Sequence, residues 1–312
     1  MSTEHTIKHT QLHKKIPTLL TLGNSLCGFT AILLALQAYE KILVKNPQDH
    51  FEIMTNADTK IMPYVFAACA WVIIGAMIFD ALDGWSARKL NATSLHGIEM
   101  DSLADMVTFG VAPAVLVYIY AHVTVFLGFA EVKDLGFIRQ DRLFWLAGAM
   151  YMGCAALRLA LYNAVEMKNK FNPSEDDEKF NGFRGIPSPG AASAVCSIVI
   201  MGTTEANLPD WLMTFFLPIY TGFLGLLMIS HIPYPHVFKW LTSPKRRARK
   251  LIILLLIIVI AVAEVIRYGS GPKMTAAALI NLYVLSGPIM LIISKIKGHT
   301  ISEDEDLLTG GT

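Results

Sequence analysis

Asp80, Asp83, Gly84, Ala87, Arg88, Gly97, Asp101 and Asp105 form one spaced set, D-x2-D-G-x2-A-R-x8-G-x3-D-x3-D. Four carboxylates at the edge of an apolar stretch are costly unless something cationic neutralises them, and such groups are usually functional. Hard divalent cations are their natural partners. On a helix turning about 100° per residue, Asp80, Asp83, Gly84, Ala87 and Arg88 fall on one face. Gly97, Asp101 and Asp105 repeat the one-turn spacing on a following helix. If Lys89 to His96 turns the chain back, the two faces meet and can hold two metal ions about 4 Å apart, the arrangement used in phosphoryl transfer. Gly84, Ala87 and Gly97 leave room for a nucleotide close to the backbone, and the planar donor fork of Arg88 suits a substrate phosphate.

The elements that must position this set are membrane helices. Of the 312 residues 54% are hydrophobic and only 16% charged, whereas a soluble domain carries about 25% charged residues. Mean hydropathy is +0.47. Eight apolar stretches of suitable length predict an all-α polytopic bundle, at roughly 17–39, 63–83, 106–130, 143–165, 188–203, 211–230, 250–268 and 274–294. The fifth is the shortest. Residues 1–15 are polar and lack the apolar core of a cleavable signal, so the first stretch is expected to anchor the chain. A short interfacial helix ahead of it fits the weak stripe of Ile7 and Leu12.

Most of the 26 Lys and Arg residues fall on one side if the N-terminus is cytoplasmic. An even number of spans then leaves both termini and the aspartate set on the cytoplasmic side. Lys245 to Lys250 forms a basic loop, and Ile301 to Thr312 reads as an acidic disordered tail. A formal net charge of +1 argues against a nucleic-acid partner. Cys27, Cys69, Cys154 and Cys196 all lie in apolar stretches and form no C-x2-C pair, which indicates neither a disulfide framework nor a zinc site. Glu264 and Arg267, three apart, are expected to pair.

The eight-residue set resembles the signature of the CDP-alcohol phosphatidyltransferase family at every position. The family core corresponds to residues 16–230, leaving 1–15 as a cytoplasmic segment, 231–298 as two further transmembrane helices and 299–312 as the tail. Three segments are similar to the serine-accepting branch: Ile16 to Asn24 with Cys27-Gly28-Phe29, Asp101 to Ala114, and Phe183 to Pro189. The resemblance implies a six-span core and transfer of a phosphatidyl group from CDP-diacylglycerol to L-serine, with release of CMP, in phospholipid biosynthesis. It implies Asp80, Asp83, Asp101 and Asp105 as ligands of two divalent ions, Mg2+ or Mn2+, with Asp105 also the base. Gly84, Ala87, Gly97, Arg88 and Asp83 would then surround the nucleotide of the donor, and a homodimer embedded among membrane lipids is expected.

Arg158 and Arg184 are candidates for the acceptor carboxylate; Arg158 equally suits snorkelling to the interface. Asn24 and Asn163 suit bonds between helices. Glycerol 3-phosphate or inositol phosphate as acceptor keeps the same chemistry. A divalent-cation transporter is the reading from another class, and the confinement of all four aspartates to one end of the bundle speaks against it.

Overall fold

The computed structural model describes residues 2–44, 56–90, 95–126, 140–171, 185–203, 215–232, 234, 256–264 and 273–308. Among them every regular element is helical: α1 Ser2–Val44, α2 Asn56–Lys89, α3 Leu95–Asp105, a π-helical segment Met106–Val111, α4 Ala112–Phe126, α5 Gln140–Phe171, α6 Ser188–Gly202, α7 Leu217–Ile229, α8 at 256–264 and α9 Lys273–Leu308. Five stretches are long and apolar enough to cross a bilayer: Ile16–Glu40, Met62–Ala87, Leu95–Thr124, Arg142–Val165 and Lys273–Ile293. Their outer faces carry Leu19, Ile78, Trp145 and Leu282, each more than 60% exposed. Apolar exposure on that scale belongs to a surface solvated by lipid, and the protein is a polytopic integral membrane protein.

Small side chains let the inner faces approach closely. Ala31, Ala35 and Ala38 of α1 share one buried cluster with Phe66, Ala70 and Ile73 of α2, Leu116 and Val117 of α4, and most of α6. Helix α6 is the centre of the bundle, with eleven of its 15 residues buried. At about 1.5 Å per residue it is too short to cross about 30 Å of hydrocarbon alone. Pro187 and Pro189 fix its start, and it packs against α2, α4, α7 and α9. Ser193 and Ser197 satisfy their buried hydroxyls on the carbonyls of Gly190 and Ala194.

Prolines inside the helices dictate two tertiary contacts. A proline has no N–H to give the carbonyl four residues back, so that oxygen must find another donor. Pro113 orphans the Phe109 carbonyl, which accepts the buried Tyr151 hydroxyl at 2.9 Å. The turn there is widened to π geometry, with the Ala112 N–H donating to Val107 O. Pro288, inside α9, similarly orphans the Val284 carbonyl, which accepts the Tyr234 hydroxyl at 3.0 Å.

Several boundaries differ from the sequence reading. The third membrane crossing starts at Leu95, not near 106, because α3, the π segment and α4 follow one another without a gap. The charged residues that depress hydropathy there line a site instead of facing lipid. Helix α1 begins at Ser2, so the polar N-terminal segment continues straight into the first span. Helix α9 continues to Leu308, where a disordered tail is expected; no Gly or Pro interrupts 299–308 before Gly310. Glu264 accepts bonds from the backbone N–H groups of Met274 and Thr275, at 2.6 and 2.8 Å. It thereby caps the N-terminus of α9; Arg267, its expected partner, lies outside the described residues, as do most of the seventh apolar stretch and the basic loop.

Candidate metal and active site

Helix α2 ends at Lys89 and α3 begins at Leu95, so the two halves of the spaced set occupy consecutive helices joined by a short connection. One carboxylate oxygen from each of Asp80, Asp101 and Asp105 lies within 4.8 Å of the others. Three anions so close repel one another strongly unless protons or a cation intervene. Asp83, one turn beyond Asp80, is 4% exposed and lies in contact with Asp101 and with Thr21 of α1. All four aspartates of the sequence reading are therefore gathered at one end of the bundle.

Helix α1 supplies the wall behind them. Thr21, Asn24 and Gly28 recur at helical spacing on one face. The Asn24 amide donates to Asp105 Oδ1 at 3.0 Å, and the Thr108 hydroxyl donates to the Asn24 carbonyl at 2.9 Å. A Cβ on Gly28 would stand 2.6 Å from both Cα and Oγ1 of Thr108. Gly28 is thus what lets α1 reach the π segment and bring Asn24 to Asp105. The prediction is that Gly28→Ala, by pushing α1 off this segment, lowers both melting temperature and turnover. A variant with wild-type melting and turnover would show that the contact is dispensable.

Two buried oxygens at this site, Asp83 Oδ2 and Asn24 Oδ1, have no hydrogen-bond partner. Acceptors without donors, beside three converging carboxylates, form an all-oxygen set that a hard divalent cation satisfies. The chemistry of the donor set fits a metal ion.

Gly84 and Ala87, both partly buried, continue the same face of α2, and Gly97 is exposed in the first turn of α3. The backbone of Arg88 lies in α2, but its side chain falls outside the described residues, and Arg184 lies outside them entirely. Lys89 sits 4.5 Å above the exposed ring of Trp85, a cation–π contact typical of an interfacial anchor. The guanidinium of Arg158 donates to the Met228 carbonyl at 3.0 Å, capping the C-terminus of α7. Asn163 accepts from the Ser102 hydroxyl at 2.8 Å, tying α5 to α3.

The sequence suits Asn24 to a bond between helices without identifying Asp105 as its partner, and it assigns Thr21 and Thr108 no role. Their signal was present, since a helix otherwise facing lipid and apolar neighbours has little use for Thr and Asn at i and i+3 with Gly one turn on. The widened turn carried a weaker signal, a glycine and a proline three residues apart at Gly110 and Pro113.

Comparison with known proteins agrees with this geometry. The family model for CDP-alcohol phosphatidyltransferase matches residues 14–219. The chain is 33% identical over 180 residues to the CDP-diacylglycerol–serine O-phosphatidyltransferase of Helicobacter pylori (strain ATCC 700392 / 26695), a match covering 56% of this chain and 64% of that protein. The match thus spans less than two thirds of that relative's own length. It is 31% identical over 225 residues to the enzyme of the same name from Bacillus subtilis (strain 168), covering 72% of this chain and 92% of that one. An archaetidylserine synthase from Methanothermobacter thermautotrophicus is 28% identical over 224 residues, covering 71% and 70% respectively. With well over half of its length matched by that family model, and the eight motif positions all inside the match, the chain belongs to the CDP-alcohol phosphatidyltransferase family.

Proposed function

We propose that this protein transfers the phosphatidyl group of CDP-diacylglycerol to the hydroxyl of L-serine, releasing CMP. The observation that carries the reading is the convergence of Asp80, Asp101 and Asp105 from the two helices that bear the spaced set. The names of the relatives supply the substrates.

Asp80, Asp83, Asp101 and Asp105 would hold two divalent ions, Mg2+ or Mn2+. Bound there, the ions supply neutralisation of the donor phosphates and of the charge that accumulates as the pyrophosphate breaks. The chain's own residues do the rest. Asn24, by donating to Asp105 Oδ1, restricts the rotation of that carboxylate. Asp105 takes the proton of the serine hydroxyl. The serine oxygen bonds to the phosphorus that bears the diacylglycerol, the bond from that phosphorus to the bridging oxygen breaks, and CMP leaves with the electron pair. Gly84, Ala87 and Gly97 give clearance to the nucleotide, and Arg88 binds a phosphate. Arg158 and Arg184 are the candidates for the serine carboxylate. Zwitterionic serine needs one such cation, whereas a phosphorylated acceptor brings two negative charges and needs a larger basic pocket.

The reaction is tested by incubating purified protein with CDP-diacylglycerol, Mg2+ or Mn2+, and serine, glycerol 3-phosphate or inositol phosphate in turn, with detection of CMP and lipid product. Serine should be used far better than the others. Preference for glycerol 3-phosphate would remove the serine assignment, and metal uptake into proteoliposomes without CMP release would favour a transporter.

The positive-inside pattern supports a cytoplasmic-membrane protein with both termini and the site facing the cytoplasm. With Asn46→Cys and Asn91→Cys introduced singly, an impermeant thiol reagent on right-side-out vesicles should label position 46 and spare 91. The reverse labelling would overturn this orientation. The homodimer implied by the family is tested by mass measurement of the protein in lipid nanodiscs.

A further inference from the structure

A threonine or serine on a helix can return its hydroxyl to a carbonyl of the preceding turn. Thr21, Thr30 and Thr221 do so four residues back, at 3.0, 2.7 and 2.7 Å, and Ser193 and Ser197 three residues back. Thr108 does otherwise. It is fully buried, and its hydroxyl crosses to the Asn24 carbonyl of α1 at 2.9 Å. That carbonyl lies inside α1, where the N–H of Gly28 is already its helical donor. The acceptor has no need of a second bond, so what the bond fixes is the place of α1 relative to the third crossing.

The position of Thr108 gives that bond its use. Thr108 lies in the π segment Met106–Val111, which follows Asp105 directly. The neighbouring residue, Phe109, accepts the Tyr151 hydroxyl on its carbonyl at 2.9 Å, so the segment is fastened to α1 through Thr108 and to α5 through Tyr151. Asn24 is also fully buried and is held at both ends. Its carbonyl accepts from Thr108, and its side-chain amide donates to Asp105 Oδ1 at 3.0 Å. Asp105 is one of the three converging carboxylates. The two bonds therefore close a ring that runs from Asp105 along its own chain to Thr108, across to Asn24, and back to the Asp105 carboxylate.

We propose that Thr108 is a positioning residue for Asp105, acting through Asn24, so that the π segment braces the base against its own helix. This rests on the reading of Asp105 as the base for the serine hydroxyl. Asn24 restricts the Asp105 carboxylate only as far as Asn24 is itself placed, and Thr108 ties the Asn24 backbone to the backbone that carries Asp105. A reacting group displaced from its productive geometry slows the chemical step. Substrate affinity, which other contacts supply, is affected less.

The test is steady-state kinetics of CMP release by full-length protein, with serine and CDP-diacylglycerol varied in turn and melting temperatures for each variant. The variants are Thr108→Val, Thr108→Ala, Thr108→Ser, Asn24→Ala, Thr108→Val combined with Asn24→Ala, and Thr221→Val. Thr108→Val keeps the β-branch beside Gly28 and removes the hydroxyl; Thr108→Ala removes it with less bulk. Thr108→Val should lower kcat about 10-fold and leave both KM values within about 2-fold. Thr108→Ser, which keeps the hydroxyl, should stay within about 2-fold of the wild-type kcat. In the Asn24→Ala background Thr108→Val should have no further effect, because the arm that reaches Asp105 is gone. Thr221→Val removes a buried hydroxyl bonded within α7 and should turn over as wild type. An unchanged kcat in either hydroxyl-free variant, even with a lowered melting temperature, assigns Thr108 to the fold and overturns the proposal. An equal loss in Thr221→Val, a loss that persists in the Asn24→Ala background, or a raised KM in place of a lowered kcat also overturns it. Each of these leaves the base reading standing, whereas near wild-type CMP release by Asp105→Asn removes that reading and the proposal with it.

Discussion

Asp105→Asn should reduce CMP release by about 10³-fold or more, within the range lost when a general base is removed, while the protein remains folded and still binds CDP-diacylglycerol. Asparagine is isosteric with aspartate, so the place of residue 105 between Asn24 and the other carboxylates is retained. What changes is chemistry: the amide cannot accept the serine proton, and the residue offers the metal no anionic charge. The Asn24 contact adds a second signature. In wild type the Asn24 amide donates to Asp105 Oδ1 at 3.0 Å, a bond to an anion and so among the stronger kind. In the variant the bond is to a neutral amide oxygen, and Asn24→Ala should therefore cost the wild type more turnover than it costs Asp105→Asn. Purified Asp105→Asn releasing CMP at near wild-type rate would remove Asp105 as the base. Loss of donor binding along with turnover would instead make it a binding residue only.

The site was legible in the sequence to the extent that it lies along single helices. The one-turn spacing of Asp80, Gly84 and Arg88, and of Gly97, Asp101 and Asp105, fixes which residues share a face, because helical periodicity is local. Which carboxylates converge is not local. It depends on the approach of α3 to α2, and that approach leaves the Asp83 side chain 4% exposed and brings Asp80, Asp101 and Asp105 together. The contribution of α1 depended on Gly28, a residue whose meaning appears only when Thr108 is found against it.

The fold divides along the same line. Apolar length located the membrane helices, and the short stretch at 188–203 corresponds to the short, buried α6. Hydropathy misplaced the start of the third crossing because Glu99, Asp101 and Asp105 count as breaks in an apolar stretch, although the helix continues through them. Arg158 shows the limit most clearly. Its position near the end of an apolar run predicts snorkelling or substrate contact equally, and only the end of α7, 70 residues later, decides where its guanidinium bonds. The roles of Tyr151 and Tyr234 follow from prolines on other helices, a pairing that no pattern within either helix announces.

Asp101→Ala and Asp80→Ala should differ from Asp105→Asn in kind, losing metal response and donor binding together with turnover. Removing either carboxylate takes away one of three oxygens that converge within 4.8 Å, and a hard cation held by fewer anionic ligands binds more weakly. The remaining two carboxylates then repel less, so the apo protein should lose nothing in stability and can gain. Wild type should show the opposite: added Mg2+ or Mn2+ should raise its melting temperature, because a ligand that binds only the folded state stabilises it by mass action. The measurement is the melting temperature of wild type and both alanine variants against metal concentration, alongside metal-dependent binding of CDP-diacylglycerol. The expected pattern is a metal-dependent rise in wild type that both variants lose, with no rise from Mg2+ in either at concentrations that saturate wild type. A thermal shift and donor affinity that climb normally with metal in Asp101→Ala and Asp80→Ala would show that these carboxylates are not ligands, and that the oxygen cluster serves the fold alone.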